Sequence, residues 1–286
     1  LCPPLPAIPF LTDPTLTVLP AFETLAPVLD GARLDIVFDR PQRRNALTHR
    51  MMVELTALLR WTATNEAVRV VVLRGNGGNF SAGGDLDAMH NLAPKNPDGS
   101  DPLVPAYREM GHALNLLDGL PQAVVAAAEG AAVGGGLGMA CCADHVVAMA
   151  DAKFGMPEAK WGFIPSQILP FVIDRIGPGA ARSMVATGRI ARGKEAFRLG
   201  IAHELASDAA DLKAKVDRAV ADVLLSAPHA LATAKQLIRL APTRSREETL
   251  QHAAEDLVRL LREPEAREGI AAFLAKRKPS WAPQKG

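Results

Sequence analysis

A chain of 286 residues is long enough for one large domain, or a domain with a helical appendage, and buries a substantial core without disulfides or metals. Its formal net charge of +1 gives no overall field toward nucleic acid or membrane, and no apolar run is long enough to span a bilayer. The 3 cysteines (Cys2, Cys141 and Cys142) form no C-x-x-C pair, so a zinc site is not expected, and the usage fits a reducing, cytoplasmic setting.

The stretch 1–30 is proline-rich, poor in charge and without a signal-peptide pattern, and reads as an irregular extension. Residues 33–38 alternate apolar and polar and predict a strand that Pro41 breaks. Thr48 is a candidate N-cap for a helix to about 63, with Met52, Leu55, Leu58 and Leu59 on one face. A β-branched run at 68–73 predicts a buried strand, 75–78 a turn, and 85–91 a short helix. The polar 93–105 segment reads as a surface loop, and 105–117 as a helix. A second buried strand is expected at 123–128, a small-residue helix at 135–142 and a strand at 145–149. Helical patterns then dominate: 180–187, 194–199, 211–225, 230–240, 246–261 and 264–278. This order, β/α alternation followed by helices, supports an α/β core over 31–205 and a helical region over 206–286.

Three segments carry the chemistry. Asn79-Phe80-Ser81-Ala82-Gly83-Gly84-Asp85-Leu86 follows a strand and opens a helix, where glycines admit sharp turns and close approach, and unpaired N–H groups attract negative charge. A tight packed turn is the competing reading. Gly130 to Gly138 does the same after the second buried strand. It misses the G-x-G-x-x-G spacing of a dinucleotide site, because the third glycine falls on Met139 or Cys141. In the third, Phe154-Gly155-Met156-Pro157-Glu158, the carboxylate is either a partly desolvated acid/base or an exposed loop glutamate.

Together these segments resemble the crotonase (enoyl-CoA hydratase/isomerase) superfamily from about Arg33 to Lys278. Arg40-Pro41-Gln42-Arg43-Arg44-Asn45-Ala46-Leu47 is similar to its R-P-x-x-x-N-A-L turn, and Phe80 to Leu86 to its F-x-A-G-x-D-L segment. Gly134 to Gly136 match its triple glycine, and the stretch from Ala271 to Pro279 its A-F-x-x-K-R-K-P tail. The resemblance implies a crotonase-type α/β fold, a spiral of ββα turns with a C-terminal helical trimerisation region. It implies an oxyanion hole from the N–H groups of Gly84 and Gly135, and Glu158 as acid/base. Ala82, Asp85 and Leu86 would line a coenzyme A pocket, with Arg43 and Arg44 toward its phosphates, or else as solvated surface charges. Phe273 and Lys276 match tail residues that reach the ligand from an adjacent subunit, so a homotrimer or hexamer is implied. No metal, no cofactor beyond the substrate's coenzyme A, and no nucleic-acid or membrane partner is expected.

Two departures bear on the reaction. Many hydratases of the family hold water between two glutamates, and the first would fall at Gly138. One carboxylate fits hydration, and it equally fits double-bond isomerisation. Asp87 stands where relatives often have lysine. The stretch Trp161 to Val172 resembles the branch of methylglutaconyl-CoA and isohexenylglutaconyl-CoA hydratases, which implies a branched or carboxylated enoyl-CoA. A non-catalytic CoA- or RNA-binding relative is the remaining alternative, and the near-neutral charge disfavours RNA.

Overall fold

The computed structural model describes residues 19–90 and 94–283. The expected irregular extension therefore lies outside the described residues over 1–18, as does Cys2. Nine strands and ten helices are described: β1 (Val28–Asp30), β2 (Arg33–Phe38), β3 (Val70–Gly75), β4 (Ala123–Ala128), β5 (Ala131–Val133), β6 (His145–Met149), β7 (Lys153–Gly155), β8 (Ile190–Arg192) and β9 (Glu204–Ala206). The helices are α1 (His49–Thr64), α2 (Leu86–His90), α3 (Leu103–Asp118), α4 (Gly135–Cys142), α5 (Leu169–Thr187), α6 (Gly193–Arg198), α7 (Ala209–Leu225), α8 (Pro228–Leu240), α9 (Arg246–Arg262) and α10 (Pro264–Leu274).

Six strands form one sheet in the order β1-β2-β3-β4-β6-β9, antiparallel at β1–β2 and parallel elsewhere. Both faces are covered, so the central strands are continuous apolar runs. Val71, Leu73, Val124 and Ala126 face the large core shared with α1, α3 and α4. Val70, Val72, Val125 and Val147 face Leu212, Val216 and Val220 of α7. A second sheet, β5-β7-β8, stands beside the first. Thr48 caps α1 as expected, its side chain accepting from the Met51 N–H.

Several expectations shift. The end of the proline-rich stretch is docked rather than irregular: β1 pairs with β2, Leu25 is buried and bridges Phe38, and buried Glu54 of α1 accepts the N–H groups of Glu23 and Thr24. Helix α3 begins at Leu103, inside the expected loop, with Pro105 in its first turn, where a missing N–H costs nothing. Helix α5 starts at Leu169, well before the expected 180, and breaks at Gly177 (φ 74°) before Pro178. Helix α10 stops at Leu274 rather than 278, and Lys276 has φ 52°. Helices α8 and α9 bury no residue, and Ile238, Leu250, Leu257 and Phe273 stand exposed on the C-terminal helices. Among the described residues no helix is long and apolar enough to cross a membrane.

Candidate active site

The first glycine loop is built by the turn that precedes α1. Asn45 is fully buried in the left-handed region (φ 55°), and its amide donates to the carbonyls of Asn76 and Asn79 while its Oδ1 accepts the Arg40 N–H. Ser81 Oγ donates to the Asn45 carbonyl and accepts the Gly83 N–H. Phe80 packs edge-on against Phe38, ring centroids 5.4 Å apart. Leu47 donates to the Gly83 carbonyl and accepts from Asp85, so the bonds on either side of Gly84 are made within the protein. The N–H of Gly84 itself has no acceptor among the described residues. Arg40 ties the turn to the loop, with one nitrogen on the Ala46 carbonyl and the other 3.0 Å from Asp85.

The second loop meets the first. Ser81 bridges Ala132, and the glycines touch so closely that a Cβ on Gly83 would lie 2.7 Å from the Val133 carbonyl oxygen. Gly134 adopts φ 55°, ψ −121°, a conformation nearly confined to glycine, and donates to the Gly155 carbonyl. Gly135 is the first residue of α4, and its N–H has no acceptor among the described residues. Helix α4 is nearly all buried, so this donor sits on a fixed element.

Glu158 follows Pro157 in a 3-10 turn and is 7% exposed. Its Oε2 is buried without a hydrogen-bond partner, and burial raises its pKa above the ordinary value. Its Oε1 would stand 2.8 Å from a Cβ on Gly134, so the glycine makes room for the carboxylate.

Gly84, Gly135 and Glu158 line one cavity of about 860 Å³. Ala82, Asp85, Leu86, Arg43 and Arg44 line it too, whereas Phe273 and Lys276 do not; Phe273 is 83% exposed at the end of α10. Arg43 is ion-paired with Asp87, and both are exposed. Of the three carboxylates on the cavity wall, Asp85 and Asp87 are ion-paired, and only Glu158 is not. A glutamate at Gly138 has no room, since a Cβ there would lie 2.5 Å from Ile168 Cγ2 and 3.4 Å from Leu114 Cδ1.

Elsewhere Asp144 accepts the Val124 N–H and pairs with Lys235, and the Glu129 carbonyl accepts the Phe80 N–H, which are framework contacts. Burial pushes the Cys141 thiol up to about 12, which makes it a poor nucleophile. The apolar wall of Leu47, Met52, Met110, Phe163 and Ile168 was not anticipated as part of the site, nor was Gln167. Leu47 and Met52 belong to stretches singled out from the sequence, as do Phe163, Gln167 and Ile168 within 161–172, whereas Met110 is joined by tertiary packing alone.

Two N–H groups without an acceptor among the described residues and one desolvated carboxylate thus share one cavity wall. The family model for enoyl-CoA hydratase/isomerase matches residues 31–284. The chain belongs to that family, is an enzyme of it, and has the crotonase fold. It is 32% identical to a probable enoyl-CoA hydratase of Bacillus subtilis (strain 168), over 83% of this chain and 90% of that protein. It is 31% identical to the carnitinyl-CoA dehydratase of Escherichia coli (strain K12), over 91% and 98%. An enoyl-CoA hydratase/isomerase from Marinobacter aquaeolei superposes with a TM-score of 0.86 at 38% identity, over 91% of this chain and 99% of that one.

Proposed function

We propose that the enzyme adds water across the 2,3 double bond of a branched or carboxylated, glutaconyl-type enoyl-CoA. The observation that carries this reading is the meeting of Glu158 Oε2, buried and unpartnered, with the free N–H groups of Gly84 and Gly135 on one cavity. The two N–H groups donate to the thioester oxygen. Glu158 takes a proton from water as the water oxygen bonds to C3. The C2–C3 π electrons move toward the thioester, giving an enolate whose charge rests in the oxyanion hole. Glu158 then returns the proton to C2, which restores both the carboxylate and the thioester. A raised pKa suits both halves, because a carboxyl poised nearer neutrality is a stronger base and still gives the proton back.

Arg43 and Arg44 at the rim suit the coenzyme A phosphates, to which guanidinium groups donate in pairs. The exposed Phe273 and Lys276 suit a ligand held by a neighbouring copy, in a homotrimer or hexamer, and no cofactor beyond coenzyme A is called for. A panel of 2-enoyl-CoA and 3-enoyl-CoA thioesters, followed by absorbance of the conjugated thioester, tests the reaction. Loss of absorbance with 2-enoyl substrates supports hydration. Gain of absorbance with 3-enoyl substrates and none lost with 2-enoyl ones overturns it. That outcome would favour the second reading, double-bond isomerisation, for which one carboxylate suffices: Glu158 would move a proton from C2 to C4.

A further inference from the structure

Gln167 lines the cavity, is half-buried, and its side-chain amide makes no hydrogen bond to any described residue. It stands against Gly111 in the middle of α3, where a Cβ would collide with the Gln167 Oε1. Glycine inside a helix is less stable than alanine, and this one has an ordinary helical φ, so no turn demands it. What the missing side chain admits is the Gln167 amide. The next residue, Ile168, fills the space over Gly138, and the residue before Gly111, Met110, has its Cε 2.9 Å from where a Cβ on Gly135 would lie. Gln167 thus sits between α3 and the start of α5, beside residues that reach Gly135 and Gly138 of α4.

The same cavity is lined by Met110, Phe163, Ile164, Pro165 and Ile168, with Ser166 and Tyr107 as polar neighbours. The amide has no protein partner among the described residues, so a bound ligand that meets it gains over one that does not. An amide brings two N–H donors and one acceptor without charge.

Resting on the hydratase reading above, we infer that Gln167, seated by Gly111, is the specificity-determining residue of the acyl pocket and donates to a carboxyl group on the acyl chain. The test is calorimetric binding of glutaryl-CoA and butyryl-CoA, which differ in a terminal carboxyl and need no turnover. The wild-type enzyme is expected to prefer glutaryl-CoA. Gln167→Leu should reduce that preference about tenfold to a hundredfold, the range expected for a lost buried hydrogen bond, with butyryl-CoA binding little changed. Gly111→Ala should displace the amide and reduce the preference in the same direction, while thermal unfolding shows the helix intact. An unchanged ratio in both variants, an equal loss for both ligands, or no wild-type preference overturns the assignment. The hydratase reading fails separately, through absence of enoyl-CoA hydration by the wild-type enzyme.

Discussion

Gly138→Glu places a carboxylate where many hydratases of the family have their first glutamate, and the structure predicts that it will not be accommodated. The new Cβ would stand 2.5 Å from Ile168 Cγ2 and 2.8 Å from Ile168 Cβ. Carbon atoms in contact sit about 3.5–4.0 Å apart, so Ile168 must retreat by roughly 1 Å inside a close-packed wall. Overpacking of this kind costs about 1–3 kcal/mol before the carboxylate's own desolvation is added. Ile168→Ala alone leaves a cavity and costs about 2–5 kcal/mol. In the double variant, however, Cγ2 is gone and only the 2.8 Å contact with the Cβ at position 168 persists, so the two losses should fall short of additivity by about 1 kcal/mol. Urea unfolding of the four proteins measures the coupling. A Gly138→Glu enzyme as stable as wild type, or strictly additive losses, would refute the packing argument.

Glu158→Gln should lower turnover by about 10²–10⁴-fold while leaving acyl-CoA binding in place, as calorimetry would register. Its stability effect has a sign. The folded pKa of Glu158 is raised, so its favourable contribution is complete below the unfolded pKa and is lost as pH rises through the folded one; melting curves should show the Gln variant gaining on wild type at pH 8 and losing that gain toward pH 4. For the same reason the acid limb of the wild-type pH–rate profile should lie above the ordinary glutamate value of about 4.3. Gly134→Ala imposes a strained φ/ψ at a cost of about 1–3 kcal/mol and crowds Glu158 Oε1; a lower melting temperature together with a loss in kcat of more than tenfold is expected, and an unchanged kcat would contradict the contact. His203 is held down to about 4 by burial, then by Arg175 and the stacked His145, and its Nδ1 accepts the Val146 N–H. Stability should therefore fall as pH drops from about 6.5 toward 4, less steeply in His203→Gln, with the solvent-exposed ring edge limiting the size of the effect.

The parallel strands were legible because burial on both faces leaves an uninterrupted apolar run, as in 123–128. The three-residue strands β5, β7, β8 and β9 were not, because a period of two needs more residues than they contain. The glycine loops were legible for a physical reason that the structure sharpens: Gly134 needs its positive φ, and Gly83 and Gly136 need the close approach of Val133 and Ser81. Glu158 could be placed by its neighbours in sequence, but its burial depends on the packing around the cavity wall, which sequence spacing does not encode. Composition did not disclose how the stretch from Leu19 to Asp30 docks: Glu54 of α1 takes up the backbone donors of Glu23 and Thr24, Leu25 is buried, and β1 pairs with β2.

The contact between the two glycine loops has a further consequence. Because Ser81 bridges Ala132 and Gly83 abuts Val133, the N–H groups of Gly84 and Gly135 lie on two loops packed against each other and anchored to buried elements. The wall that carries the two N–H groups is thus a single packed unit. The segment from Phe163 to Ile168 meets that unit through the buried Ile168, which packs over Gly138. Its exposed positions, Ile164 and Ser166 among them, can change without disturbing that packing.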